Sequence, residues 1–128
     1  MITKNKQRPK YLNLMQIRQP AAAIVSIAHR ISGAVLFLFA IPFGLCALQD
    51  SLGSTNGYAQ WADFFSNVPG KLILIAFAWA LAHHFCAGIR YLLLDAHKGI
   101  DLPTARWSSI AVIVVSLLMT LLFIVKIW

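Results

Sequence analysis

Three long apolar stretches separated by polar segments dominate the sequence. They run from about residue 21 to 48, from about 70 to 95 and from about 107 to 127. Each can cross a hydrocarbon core of about 30 Å, which takes roughly 20 helical residues. Strands are not expected, because open sheet edges leave backbone groups unsatisfied in lipid. The pattern predicts an all-α membrane protein with three transmembrane helices in a single domain, preceded by a polar segment over residues 1–20.

Proline and glycine mark the ends of these stretches. Pro20 precedes the first, Pro69 and Gly70 open the second, and Pro103 precedes the third. Proline suits a helix start because the backbone N–H that it lacks would be unpaired there. Pro42 lies inside the first helix and is expected to bend it or to free a carbonyl. The segment from 52 to 67 is expected to be a loop with a short amphipathic turn around residues 58–65.

The composition agrees with a membrane location. Hydrophobic residues make up 59% of the 128 residues and charged residues 12%, about half the share of charge in soluble domains. The net charge is +7, but the basic residues gather at segment ends and are not interleaved with aromatic residues on one face. A nucleic-acid groove requires such a face, so nucleic acid is excluded as a partner.

The distribution of charge predicts the orientation. Basic residues precede the first helix and surround the second loop: Lys4, Lys6, Arg8, Lys10, Arg18, Arg90, Lys98 and Arg106. The first loop carries Asp50 and Asp63 and no basic residue before Lys71. The positive-inside rule therefore places the N-terminus and the second loop in the cytoplasm and the C-terminus outside. Lys71 and Lys126 are expected at the outer interface with Trp128.

Polar residues cluster in the first helix. Arg30 lies ten residues beyond Pro20, about 15 Å along the axis, where an arginine costs at least ~2.5 kcal/mol to insert. Ser26, Arg30 and Gly33 share one face, and His29 lies about 100° around the helix. Together they provide donors for an anion or a carbonyl oxygen. The alternative is that Arg30 reaches the headgroups while Ser26 bonds its own backbone.

The second helix carries a stripe at i, i+4, i+7 and i+11, formed by His84, Gly88, Tyr91 and Asp95. A glycine one turn from a histidine leaves room for a flat group, and imidazole ligates haem iron well. A hydrogen bond between helices is the other explanation for such a histidine. His83 points about 100° away from His84 and stays a second candidate ligand. Arg90 is a candidate cation for a haem propionate.

The third helix is expected to provide packing and lipid contact, with no chemistry. Its polar residues before Lys126 are hydroxyl residues, which helices accommodate by bonding back to their own carbonyls. They are Ser108, Ser109, Ser116 and Thr120.

Two separate motifs resemble the cytochrome b subunit of succinate dehydrogenase. The first combines residues 8–14, RPKYLNL, with residues 26–33, SIAHRISG. The second runs over residues 84–95, where His84-xxx-Gly88-Ile89-Arg90 is followed by Asp95. The resemblance covers nearly the whole chain, with both motifs in the same order. Tyr91 departs from it, since some members carry a second histidine there.

The resemblance implies a subunit of a heteromeric helical bundle. With a second small hydrophobic subunit it would anchor a flavoprotein and an iron–sulfur protein of complex II in the bacterial inner membrane. The chain would not be catalytic alone, and it would contribute to the reduction of ubiquinone with electrons from succinate.

The resemblance also implies roles for individual residues. His84 matches the axial ligand of haem b, whose opposite ligand comes from the second anchor subunit. Ser26 and Arg30 match residues of the quinone site, and His29 and Arg30 match residues close to the haem propionates.

Three other functions are compatible with parts of the pattern. A fumarate reductase anchor would run electrons in the opposite direction. A small transporter or channel subunit would need acidic residues within its helices, whereas all four aspartates lie in loops or at helix ends. A purely structural anchor would gain more from leucine at the polar positions.

Overall fold

The computed structural model describes residues 18–128, and within that range the chain forms helices joined by short turns, with no strand. The first span, Ala21–Gly53, consists of Ala21–Val35, a π-helical turn at Leu36–Ala40, and Ile41–Gly53. A connecting helix, Thr55–Ser66, leads to the second span, Val68–Asp95, and the third span is Leu102–Ile127. All three spans are long and apolar enough to cross a membrane. The prediction of an all-α membrane protein with three transmembrane helices is therefore confirmed.

Some expectations concern residues outside the described range. The four N-terminal basic residues Lys4, Lys6, Arg8 and Lys10, and the RPKYLNL run at 8–14, lie there. The same holds for most of the polar segment over residues 1–20, of which only residues 18–20 are described.

The third span begins at Leu102, earlier than the apolar pattern alone suggests. Asp101 caps its first turn, because its carboxylate accepts bonds from the Thr104 amide at 3.1 Å and from the Thr104 hydroxyl at 2.6 Å. These bonds also hold the pKa of the Asp101 carboxyl below its usual value, since they stabilise the charged form. Pro103 lies within the first turn, where its missing donor costs nothing.

The segment between the first two spans is helical over Thr55–Ser66, where the sequence predicted mainly a loop. Ser54 caps this helix by accepting a bond from the Gly57 amide at 2.9 Å. Aromatic residues hold it against the ends of the first two spans: Phe43, Trp61, Phe64, Phe65 and Phe77. Trp61 also donates to Asp50 at 3.2 Å. Short-range patterns do not reveal such packing between distant residues.

The first span widens into a π turn just before Pro42. The Ile41 amide donates to the Leu36 carbonyl, five residues back instead of four. A proline inside a helix removes one donor and crowds the carbonyl four residues earlier, and a wide turn is one way in which helices accommodate such a residue.

The second span packs against both of the others. Its buried positions are mostly small, including Ala80, Ala82 and Ala87, and small residues let membrane helices approach closely. Large apolar side chains face outward, with Phe37 70% and Val125 72% exposed. Such an outward apolar surface suits lipid or partner helices and would be unfavourable in water.

The ends of the spans are paired. The Lys71 ammonium lies 5.1 Å from the centre of the Trp128 ring, so the start of the second span meets the end of the third. At the opposite end, the turn between these spans uses left-handed backbone at His97, with φ 57°, and at Gly99, with φ 70°. The connecting helix and the turn between the second and third spans, which contains Lys98, therefore lie at opposite ends of the bundle.

Candidate functional site

Two histidines from different spans meet face to face. The rings of His29 and His84 are stacked, with centroids 4.2 Å apart and planes 11° from parallel. Both residues are half-buried. The sequence singled out both side chains, but it did not predict that they touch.

Contacts with the first span determine which nitrogen of a neutral His84 ring carries the proton. Nδ1 of His84 lies 3.1 Å from the His29 carbonyl oxygen and 3.3 Å from the Ser32 hydroxyl. A carbonyl only accepts hydrogen bonds, so the proton of a neutral ring belongs on Nδ1. Nε2 then keeps an in-plane lone pair. Stacking against His29 covers a face of the ring, and within residues 18–128 no hydrogen bond is made to Nε2.

Glycine provides the room for this arrangement. A Cβ at Gly33 would lie 2.8 Å from Cε1 of His84, closer than real Cβ atoms come to a neighbour. A Cβ at Gly88 would lie 3.8 Å from Nε2 of His29, an ordinary contact. Gly88 was predicted to make space for a flat group, yet the tight approach is at Gly33. Tyr91, from the same stripe, lies 5.2 Å from the His29 ring.

Arg30 and Ser26 pair on the surface of the first span. The Arg30 guanidinium donates to the Ser26 hydroxyl at 3.2 Å, across the one-turn spacing that the sequence indicated. Arg30 is exposed and Ser26 half-buried. The guanidinium has five N–H donors, so this bond leaves others available to a ligand or to a partner subunit.

His83 occupies the interior of the chain. It is 3% exposed, its ring stacks with Trp79 at 5.5 Å, and its Nδ1 lies 3.4 Å from the Ser116 hydroxyl. Its Nε2 is one of two buried polar side-chain atoms without a partner in the described part of the chain, the other being the Tyr91 hydroxyl. His83 therefore belongs to the contact between the second and third spans.

Arg90 turns toward the third span. It is 7% exposed and donates to the Ser108 hydroxyl at 3.0 Å and to the Ala105 carbonyl at 3.3 Å. The suggestion that Arg90 serves a haem propionate is therefore not supported by its contacts. The third span also does more than pack, since Ser108 and Ser116 bind polar residues of the second. No spacing within either helix signals these pairs.

The donor set limits the ligand that the site could hold. Among residues 18–128 no group of three or more histidine, cysteine, aspartate or glutamate side chains is placed to bind a metal ion. One imidazole can still hold a metal whose other ligands come from a planar macrocycle and a partner. The fold and site define a helical membrane protein that carries imidazoles and an arginine within helices long and apolar enough to cross a membrane.

Comparisons with known proteins give the family. The family described as succinate dehydrogenase/fumarate reductase transmembrane subunit matches residues 4–123. The chain belongs to this family. It is a membrane-anchor subunit of complex II, and a transporter or channel is not favoured.

Individual relatives agree with this assignment over most of their length. The succinate dehydrogenase cytochrome b556 subunit of Coxiella burnetii is 35% identical over 125 residues, covering 97% of this chain and 99% of the relative. The subunit of the same name from Paracoccus denitrificans is 35% identical over 120 residues, covering 92% of this chain and 90% of the relative. The mitochondrial succinate dehydrogenase cytochrome b560 subunit of Mus musculus is 30% identical over 119 residues, covering 89% and 67%.

Proposed function

We propose that this anchor subunit binds haem b through Nε2 of His84 and contributes to the reduction of ubiquinone with electrons from succinate. The observation that carries the proposal is the environment of the His84 ring. The bond between Nδ1 and the His29 carbonyl, at 3.1 Å, sets the tautomer in which Nε2 is a ligand. Histidines that bind metals characteristically use their second nitrogen in this way.

The other residues of the site fit a haem. Gly33 gives the His84 ring its place, and the exposed Arg30 with His29 provides cationic and polar partners for propionates. His83 is enclosed by Trp79 and the third span and has no access to a group shared with another subunit. When bound, haem b would take up and release single electrons. A second residue to hold the haem iron would come from the second hydrophobic anchor subunit.

Arg30 and Ser26 are proposed to hold the quinone. A quinone carbonyl gains electron density on reduction, so donors aimed at its oxygen stabilise the reduced form. The Ser26–Arg30 bond, at 3.2 Å, places a hydroxyl and a guanidinium next to each other on an exposed face. This pair can hydrogen-bond the carbonyl oxygen and supply positive potential.

The family resemblance implies the partner subunits, and the charge pattern indicates the side of the membrane on which they would dock. Arg18, Lys98 and Arg106 lie at the end of the bundle opposite the connecting helix, and the positive-inside rule favours the cytoplasm for that end. The flavoprotein and iron–sulfur subunits would dock there, on the side nearer to Ser26 and Arg30. The membrane would be the bacterial inner membrane. All three relatives named above are succinate dehydrogenase subunits, which favours the succinate direction over fumarate reduction.

The test uses the intact complex carrying the same substitution at each of two adjacent histidines. His84→Asn removes the proposed ligand, whereas His83→Asn removes a buried imidazole that faces the third span. We expect the dithionite-reduced minus oxidised spectrum of His84→Asn to lose the low-spin b-type bands and that of His83→Asn to keep them. The opposite result would assign the iron to His83, and bands retained in both variants would contradict ligation by either residue.

A further inference from the structure

The hydroxyl of Ser32 contacts the ring that the proposed function places on the iron. It lies 3.3 Å from Nδ1 of His84 and donates to the His29 carbonyl at 2.9 Å. Ser32 is completely buried. Three groups therefore meet at one point: a carbonyl of the first span, a hydroxyl one turn later, and the imidazole of the second span.

We infer that Ser32 is a positioning residue for the axial imidazole, an inference that rests on the proposed role of His84. The single proton of the hydroxyl is directed to the His29 carbonyl, so a lone pair of the oxygen is left for the ring. Nδ1–H of His84 then has two acceptors, the carbonyl and the hydroxyl. Together they fix the tautomer and the plane of the ring. Gly33 has no side chain, so the ring has room to lie against the first span.

A completely buried serine in these spans does not always contact an imidazole, although Ser116 makes a similar contact with His83 at 3.4 Å. Ser109 is also completely buried, but its hydroxyl bonds back to the Ala105 carbonyl at 2.7 Å, within its own helix. That is the usual behaviour of a serine in a membrane helix. Ser32 makes such a bond too and in addition reaches a side chain 52 positions further along the chain.

The second acceptor has an electronic consequence. An acceptor at Nδ1–H makes the opposite nitrogen a stronger donor, which stabilises ferric more than ferrous iron. Removing the hydroxyl should therefore raise the midpoint potential of the haem. Substitutions in the outer shell of a metal site typically change metal affinity 10–100-fold. A tenfold change in the preference for ferric iron corresponds to ~59 mV for one electron.

The experiment is a potentiometric titration of the haem in the intact complex, comparing Ser32→Ala with Ser109→Ala. Both variants remove the hydroxyl of a completely buried serine, so a loss of packing alone would affect them similarly. We expect the potential to rise by up to ~59 mV in Ser32→Ala, a change of up to about tenfold, and to stay at the wild-type value in Ser109→Ala.

The outcomes separate this inference from the proposed function. A wild-type complex without a b-type spectrum would overturn both. A wild-type complex that holds haem, combined with an unchanged or lowered potential in Ser32→Ala, would overturn the positioning role alone. Equal shifts in the two variants would attribute the effect to helix packing and would also overturn it.

Discussion

Three of the polar side chains within the spans, those of His84, Arg30 and Arg90, have specific contacts that offset part of their cost in lipid. His84 bonds the first span, Arg30 bonds Ser26, and Arg90 bonds the third span. The residue types and helical spacing in the sequence predicted His84 and Arg30 as site candidates. The stacking of His29 on His84 and the contact between Ser32 and His84 could not be predicted, because both depend on how two helices are rotated against each other.

At this scale the proposed quinone site depends most on Arg30. Arg30→Leu removes the guanidinium, and we expect succinate:ubiquinone activity to fall by roughly 10²-fold, the typical effect of losing one donor to a developing negative charge. Electron transfer from succinate to a dye that bypasses the quinone should be unchanged. Arg30→Lys keeps the charge but loses the planar fork, so its succinate:ubiquinone activity should lie between those of the wild type and Arg30→Leu. Unchanged activity and inhibitor affinity in Arg30→Leu would contradict the quinone role.

Among the elements, the third span departs most from the sequence-based expectation. Its apolar composition indicated packing and lipid contact, and its hydroxyl residues do bond back to carbonyls, as predicted. Two of them also serve the second span, through Arg90 and His83. The connecting helix was likewise underestimated, since its stability depends on aromatic contacts with the first and second spans. Hydrophobic periodicity reports burial within one helix and does not identify polar partners in another.

The contact between Arg90 and Ser108 is expected to contribute to stability and not to the site. Ser108→Ala leaves a buried guanidinium with one bond fewer, which costs about 1–3 kcal/mol. We expect the purified complex to unfold at a lower temperature, with the haem potential and quinone activity per folded complex unchanged. Ser109→Ala, which loses only a bond within its own helix, should have a smaller effect. A changed haem potential in Ser108→Ala would show that Arg90 does influence the haem.

At the scale of the molecule, most of the outer surface of the bundle suits contact with lipid or with partner helices. Large apolar side chains point outward along all three spans, and the exposed Arg30 shares that outer surface. Length, hydropathy and charge predicted three membrane crossings, and the structure confirms helices able to make them. The orientation stays a prediction, because it rests on charges, several of which lie before residue 18.

The orientation can be measured with single cysteines in a Cys46→Ala, Cys86→Ala background. Gln60, in the connecting helix, and Lys98, in the turn between the second and third spans, are both exposed and lie at opposite ends of the bundle. In intact cells with a permeabilised outer membrane, we expect a membrane-impermeant maleimide to label Gln60→Cys and not Lys98→Cys. Both should react once the inner membrane is opened and the subunits proposed to dock at the Lys98 end are dissociated. Labelling of Lys98→Cys alone in intact cells would reverse the proposed orientation.

The π turn at Leu36–Ala40 divides the first span into two helical segments. His29, Ser32 and Gly33 all precede it, and Pro42 with the aromatic contacts follows it. A one-residue insertion or deletion in a regular helix turns everything beyond it by about 100°, whereas a wide turn can absorb the change by gaining or losing its extra residue. The segment after the π turn can therefore change in length by one residue while the imidazole pair keeps its register.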